Sequence, residues 1–132
     1  MIVVDTSVLV DLFRGRHTAG ADRLRALEHD GTPFSIPAIC CQEVLQGARD
    51  RGEWKRVHDV LRTQTMLFPR EGWDTHVRAA RIYYDCRRRG VTPRSTIDCL
   101  VAALVIECEG VLLHADADFE RIAKVCALRT LA

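Results

Sequence analysis

Short, mostly apolar runs separated by helical stretches constrain this chain more than any other feature. Ile2-Val3-Val4, Phe34-Ser35-Ile36, residues 65–68 and residues 111–114 each have the length of a short strand. Between them the spacing of apolar residues predicts helices over 6–13, 19–30, 37–48, 53–62, 71–89, 96–109 and 119–126, with a marginal fifth strand at 127–129. Gly31, Gly90 and Gly110 stand where helices should stop, and Pro37 where one should start. The inner faces are expected to carry Leu24 and Leu27 in the second helix, Trp54, Val57, Val60 and Leu61 in the fourth, and Trp73, Val77, Ala80 and Tyr84 in the long fifth. The helix from Thr96 is apolar almost all round, which marks it as buried. Apolar strands alternating with helices build a parallel sheet covered on both faces. In such sheets ligands bind beyond the carboxyl ends of the strands.

At 132 residues the chain reads as one domain spanning 1–132, large enough for a real core. The longest apolar run, Cys99 to Ile106, falls far short of the roughly 20 residues that span a bilayer. The first residues show no basic and apolar signal pattern, so a cytoplasmic protein with no membrane partner is expected. Cys40, Cys41, Cys86, Cys99, Cys108 and Cys126 include no C-x-x-C pair and mostly sit among apolar residues, so they are expected to be free thiols filling the core. The net charge of +1 does not announce a nucleic-acid binder. Of 19 basic residues, however, all but Lys55 and Lys124 are arginine. Arg78, Arg81, Arg87, Arg88, Arg89 and Arg94 form a local cluster that suits either a phosphate-binding patch or a solvated helix end.

Against this frame four acids are out of place. Asp5 closes the first apolar run, Glu43 lies inside the third helix, Asp98 opens the apolar helix, and Asp116 follows the fourth strand. Each has an alternative role. Asp5 and Asp116 suit helix N-caps, with Asp118 competing for the second. Asp98 completes a capping box with Ser95, and Glu43 suits a boundary residue reaching water. Yet Asp98 opens a helix with no polar side, and Asp5 and Asp116 sit at strand ends, so the three should share one rim. Buried carboxylates brought together repel unless a cation holds them. An all-oxygen set suits Mg²⁺ or Mn²⁺ better than zinc. Glu28, Asp30, Asp50, Glu53, Asp59, Glu71 and Glu120 read as surface charges.

The ordered motifs resemble those of PIN-domain ribonucleases, and more narrowly of VapC toxins from toxin–antitoxin pairs. The resemblance runs over essentially the whole chain and is carried by Ile2-Val3-Val4-Asp5-Thr6-Ser7, Glu43-Val44-Leu45-Gln46-Gly47, Asp98-Cys99-Leu100-Val101-Ala102-Ala103 and Asp116-Ala117-Asp118-Phe119. Ala115 departs from it, since relatives often have a polar or basic residue there. The resemblance implies an α/β fold of three layers, α/β/α, with a five-stranded parallel sheet of order 3-2-1-4-5. It places the family's catalytic, metal-binding acids on Asp5, Glu43, Asp98 and Asp116. It implies Mg²⁺-dependent cleavage of RNA by a homodimer masked by a VapB-like antitoxin. On this reading Asp5 and Asp98 hold the ion most directly, Asp116 completes the shell, and Glu43 acts through a water or a second ion. The Thr6 or Ser7 hydroxyl orients a water, and Arg87, Arg88 and Arg94 position the RNA backbone. A housekeeping RNA-processing nuclease and a catalytically inert binding module of the same fold are the alternatives. A phosphoacceptor receiver domain fits poorly, because Thr6 stands where a second acid is needed and Lys124 lies inside a helix.

Overall fold

The computed structural model describes residues 1–131. Its centre is strand β1 (Ile2–Val4), in which Val3 and Val4 are fully buried. Helices α1 (Thr6–Phe13) and α2 (Ala19–Asp30) lead to strand β2 (Phe34–Pro37). Helices α3 (Ala38–Gln46) and α4 (Arg51–Leu61) lead to strand β3 (Met66–Leu67). The chain then crosses through α5 (Trp73–Arg88) and α6 (Thr96–Glu107) to strand β4 (Val111–Leu113), and finishes with α7 (Ala117–Ala123) and strand β5 (Thr130–Leu131). The five strands are all parallel and ordered β3-β2-β1-β4-β5, as the sequence resemblance implied.

This order makes β1 and β4 neighbours, with Val4 level with Leu113, while the chain winds outward from them in opposite directions. Right-handed crossovers then place the two helix groups on opposite faces. Helix α1 packs on α2 and α3, and α3 on α4; on the other side α6 packs between α5 and α7. The carboxyl ends of β1 and β4 flank the point where the winding reverses, which is where doubly wound sheets bind ligands.

Helix α6 behaves as its composition requires: Cys99, Val101, Ala102, Ala103, Leu104 and Val105 are all buried. Gly31 ends α2 in the left-handed conformation at φ 68°. At Gly110 the limit is space, since a Cβ would stand 3.1 Å from the Met1 carbonyl oxygen and 3.1 Å from Cys108 Sγ. All six cysteines are free thiols, four of them buried. Among the described residues no helix is long and apolar enough to cross a membrane.

Several expectations need correction. The inner face of α5 is Thr75, Ala79, Ile82 and Cys86, whereas Trp73, Val77 and Tyr84 are 76%, 44% and 45% exposed and Ala80 is exposed as well. The buried face of α5 is turned toward its neighbour α6, and Trp73 and Tyr84 are left outside. Helix α4 buries Val57 and Leu61 but exposes Trp54 and Val60. The fifth strand is Thr130–Leu131 rather than 127–129, because pairing is set by β4 and not by local hydrophobicity. Pro37 ends β2 with an extended ψ of 134°, and α3 begins one residue later. Asp50 caps α4 by accepting a hydrogen bond from the Glu53 amide at 2.8 Å, so it is more than a surface charge.

Candidate active site at the β1–β4 crevice

The local geometry of Asp5 follows from its place between a strand and a helix. Its backbone N–H continues the β1–β4 ladder by donating to the Leu113 carbonyl at 3.0 Å. Its side chain then caps α1: Oδ2 accepts from the Ser7 amide at 3.0 Å and the Ser7 hydroxyl at 2.6 Å. Ser7 Oγ in turn accepts the Ala115 amide at 3.0 Å, which pins the loop after β1 to the loop after β4. The other oxygen, Oδ1, has a single long contact, from the Cys40 thiol at 3.7 Å. The aspartate is 5% exposed, so capping and site membership coincide in one residue. Burial, followed by the Asp5 charge, pushes the Cys40 thiol well up, which leaves it a neutral neighbour.

Glu43 reaches this edge from α3 and accepts the Thr6 hydroxyl at 2.7 Å. The two hydroxyls after Asp5 are thus committed to carboxylates, Ser7 to Asp5 and Thr6 to Glu43.

Asp98 sits in the first turn of α6, half-buried. Ser95 caps that helix by accepting from the Ile97 amide at 3.1 Å, so Asp98 has no capping duty. Its carboxyl is pushed up to about 7, by burial first and then by the charges of Asp5, Asp116, Asp118 and Glu43. The acids named from sequence therefore share one electrostatic environment, with Asp98 at its centre.

Asp116 caps α7, its Oδ1 accepting the Asp118 amide at 2.9 Å. The competition between the two aspartates is settled with Asp116 as cap. Asp118 is the more buried, at 2% exposed, and is clamped between arginines: Arg94 Nε donates to Oδ2 at 2.8 Å and Arg121 Nη2 to Oδ1. The Arg94 guanidinium holds the Asp118 carboxyl below the usual carboxylate range. Arg94 Nη2 also donates to Asp116 Oδ1 at 3.0 Å. One oxygen from each of Asp98, Asp116 and Asp118 lies within 4.8 Å of the others.

Two residues of this site carried no sequence signal. His114, 3% exposed, accepts the Asp116 amide on Nδ1 at 3.1 Å. That fixes the tautomer, so Nε2–H donates to Glu120 Oε1 at 2.8 Å. Glu120 Oε1 also accepts the Thr130 hydroxyl at 2.8 Å. Glu120, taken from sequence as a surface charge, thereby supports the backbone under Asp116.

The arginine cluster divides. Arg78 pairs with Glu71 and Glu107. Glu107 lies nine residues along α6 from Asp98, about 13 Å at 1.5 Å per residue. Arg81 pairs with Asp85. Because α5 and α6 run antiparallel, Arg87, Arg88 and Arg89 lie at the Asp98 end. There Arg87 sits 5.7 Å from the Tyr83 ring centroid, and Arg88 bonds the Tyr84 hydroxyl at 3.2 Å. On the Glu43 side a groove of about 300 Å³ has an apolar floor that includes Val10, Phe13 and Val57, with Arg14, Arg49 and Arg56 along it.

A five-stranded parallel sheet with acids gathered at its β1–β4 crevice is the PIN architecture, and the chain belongs to the PIN domain family, whose model matches residues 2–125. Within it, the chain is 34% identical over 130 residues to Ribonuclease VapC11 of Mycobacterium tuberculosis and to VapC ribonuclease Mb1587 of Mycobacterium bovis, covering 98% of this chain and 96% of each relative. Solved structures share the fold at lower identity. VapBC2 from Rickettsia felis, bound to a promoter DNA fragment, matches with a TM-score of 0.77 at 13% identity, over 99% of this chain and 98% of that one. DNA-bound VapBC from Salmonella typhimurium matches with a TM-score of 0.74 at 16% identity, over 98% and 96%.

Proposed function

We propose that this protein is a divalent-metal-dependent endoribonuclease and the toxin of a VapBC-type toxin–antitoxin pair. The observation that carries the reading is Asp98, a half-buried carboxylate surrounded by the negative charges of Asp5, Asp116, Asp118 and Glu43. Negative charge gathered around a half-buried acid at a ligand-binding crevice is stable only with a cation or bound protons. The donor set is all oxygen, which fits Mg²⁺ or Mn²⁺. Asp98, Asp116 and Asp118, each with an oxygen within 4.8 Å of the others, would hold it, and Asp5 Oδ1, whose one contact is the Cys40 thiol, would add a further ligand. When bound, the ion supplies Lewis acidity that makes water nucleophilic at neutral pH and stabilises phosphoryl charge.

The chain's own residues do the rest. Ser7 and the β1 backbone fix Asp5; His114 fixes the Asp116 backbone; Thr6 orients Glu43 toward the crevice. Glu43 acts through a water or a second, weaker ion in this reading. Arg87 and Arg88, at the Asp98 end of α5, bind phosphates flanking the cut and hold the strand for in-line attack, without reading sequence. The products carry 5′-phosphate and 3′-hydroxyl ends. The relatives named as VapC ribonucleases support RNA as the substrate. Solved VapBC assemblies of the same fold support a VapB-like antitoxin, and the groove beside Glu43 is where such a partner masks the site. In this reading the active species is a homodimer, whose mass light scattering measures, and it works in the cytoplasm.

The central test is RNA cleavage in Mg²⁺ by the parent and by Asp98→Asn. Loss of cleavage by more than a hundredfold is expected. Equal rates would remove Asp98 from catalysis and the reading with it.

A further inference from the structure

Arg94 does not stand beside the acidic cluster waiting for substrate; its guanidinium lies on the cluster itself. It joins Asp116 Oδ1 at 3.0 Å and Asp118 Oδ2 at 2.8 Å, yet the side chain is 73% exposed. Those two acids and Asp98 are the three whose oxygens approach within 4.8 Å. The second arginine at this place has a different character. Arg121 is three residues from Asp118 on the same helix and takes only Asp118 Oδ1. Arg121 thus holds one oxygen of Asp118, while Arg94 takes the other together with Asp116. Asp116 Oδ1 also accepts the Asp118 amide, so both its lone pairs are filled while Arg94 remains in place.

We infer that Arg94 is a tethered counter-cation which a divalent ion displaces from Asp116 and Asp118, and which then turns to the RNA phosphate. The inference rests on the proposed reading of the cluster as a metal site. A guanidinium and a divalent ion on the same carboxylates repel, and they compete for the same lone pairs. Arg94 is the partner free to move, being exposed and set on the loop between α5 and α6. The planar fork that pairs with carboxylates pairs equally well with phosphate, so the released group has an immediate use. Metal-free protein then keeps its acids partly neutralised, and substrate contact begins only once metal is bound.

The experiment is titration calorimetry of Mn²⁺ into the intact protein, for the parent, Arg94→Gln and Arg121→Gln. Arg94→Gln is expected to bind Mn²⁺ roughly fivefold more tightly, the scale of competition that the ion pairs of an exposed arginine support. Arg121→Gln is expected to stay within about twofold of the parent, since Arg121 touches only one oxygen of Asp118 and neither Asp116 nor Asp98. In EDTA Arg94→Gln should melt below the parent, and it should gain more on Mn²⁺ addition. At saturating Mn²⁺ its RNA cleavage should show a raised KM more than a lowered kcat. Arg94→Lys, which keeps the charge but not the fork, should fall between parent and Arg94→Gln in Mn²⁺ affinity. Unchanged or weaker Mn²⁺ binding by Arg94→Gln overturns the inference, as does equal tightening by Arg121→Gln, which would report net charge alone. A parent that binds no Mn²⁺ overturns the metal reading itself, so the two failures are distinct.

Discussion

Asp98→Asn should stabilise the metal-free protein at neutral pH while abolishing its activity. The Asp98 carboxyl is pushed from its ordinary 3.8 up to about 7 by burial and by the acids around it. In the folded chain it keeps its proton to about pH 7, whereas the unfolded chain releases it near pH 4. Between those values the folded state binds the extra proton, so stability falls as pH rises through the window. The gap of about three pH units corresponds to about 4 kcal/mol at 1.36 kcal/mol per unit. Asp98 is only half-buried and faces water on one side, so screening by solvent and salt reduces this to about 2 kcal/mol. The asparagine keeps the shape and removes the charge. In EDTA at pH 8 the variant should melt about 6–10 °C above the parent, scaling for a domain of this size. At pH 4 the two should coincide, because the parent's carboxyl is then protonated. Saturating Mg²⁺ should raise the parent's melting temperature but not the variant's. Urea denaturation at both pH values, with EDTA and with Mg²⁺, measures all of this. An equal gain at pH 4 and pH 8, or destabilisation at pH 8, would refute the reasoning.

Other perturbations test the supports of the site and the packing. His114→Ala removes the acceptor for the Asp116 amide and leaves a cavity beside Phe119, whose ring centroid is 5.3 Å away. The loss should be about 2–3 kcal/mol by denaturant titration, with cleavage reduced at least tenfold; unaltered cleavage would remove His114 from the site's support. Gly110→Ala forces a Cβ to 3.1 Å from the Met1 carbonyl, which already accepts the Val111 amide at 2.9 Å, so about 1–3 kcal/mol is expected to be lost. Trp73→Ser, at a residue 76% exposed, should change monomer stability by no more than about 0.5 kcal/mol, whereas Ile82→Ala on the opposite face should cost about 2–4 kcal/mol. The reverse ranking in urea would mean that α5 is inserted the other way round.

What could be read from sequence depended on whether a local pattern decides the matter. The run ending at Asp5 and the all-apolar helix behind Asp98 are local patterns, and the structure has Asp5 at the end of β1 and Asp98 in the first turn of the buried helix. Helix α5 shows where hydrophobicity misleads. Its largest apolar residues, Trp73 and Tyr84, point outward, while the buried face of the helix is Thr75, Ala79, Ile82 and Cys86. Glu43 joined the set through family resemblance, and its bond from Thr6 is a contact between residues 37 apart that no periodicity encodes. His114 and Glu120 are six residues apart across a loop and a helix start, so their pairing depends on tertiary geometry. Arg94 was legible as a basic residue near the site, but its pairing with two of the acids was not.

The bond from the Ala115 amide to the Ser7 hydroxyl spans 108 positions of the chain. Its consequence concerns synthesis. A ribosome adding about 5–20 residues per second makes Asp5 many seconds before Asp116. Strand β1 has no β4 to pair with until residues through Leu113 have cleared the exit tunnel. A partly made chain therefore carries at most two or three of the acids, without the neighbour that fixes Asp5. Whatever chemistry the site performs thus waits until nearly all of the described chain has been made and β4 has paired with β1.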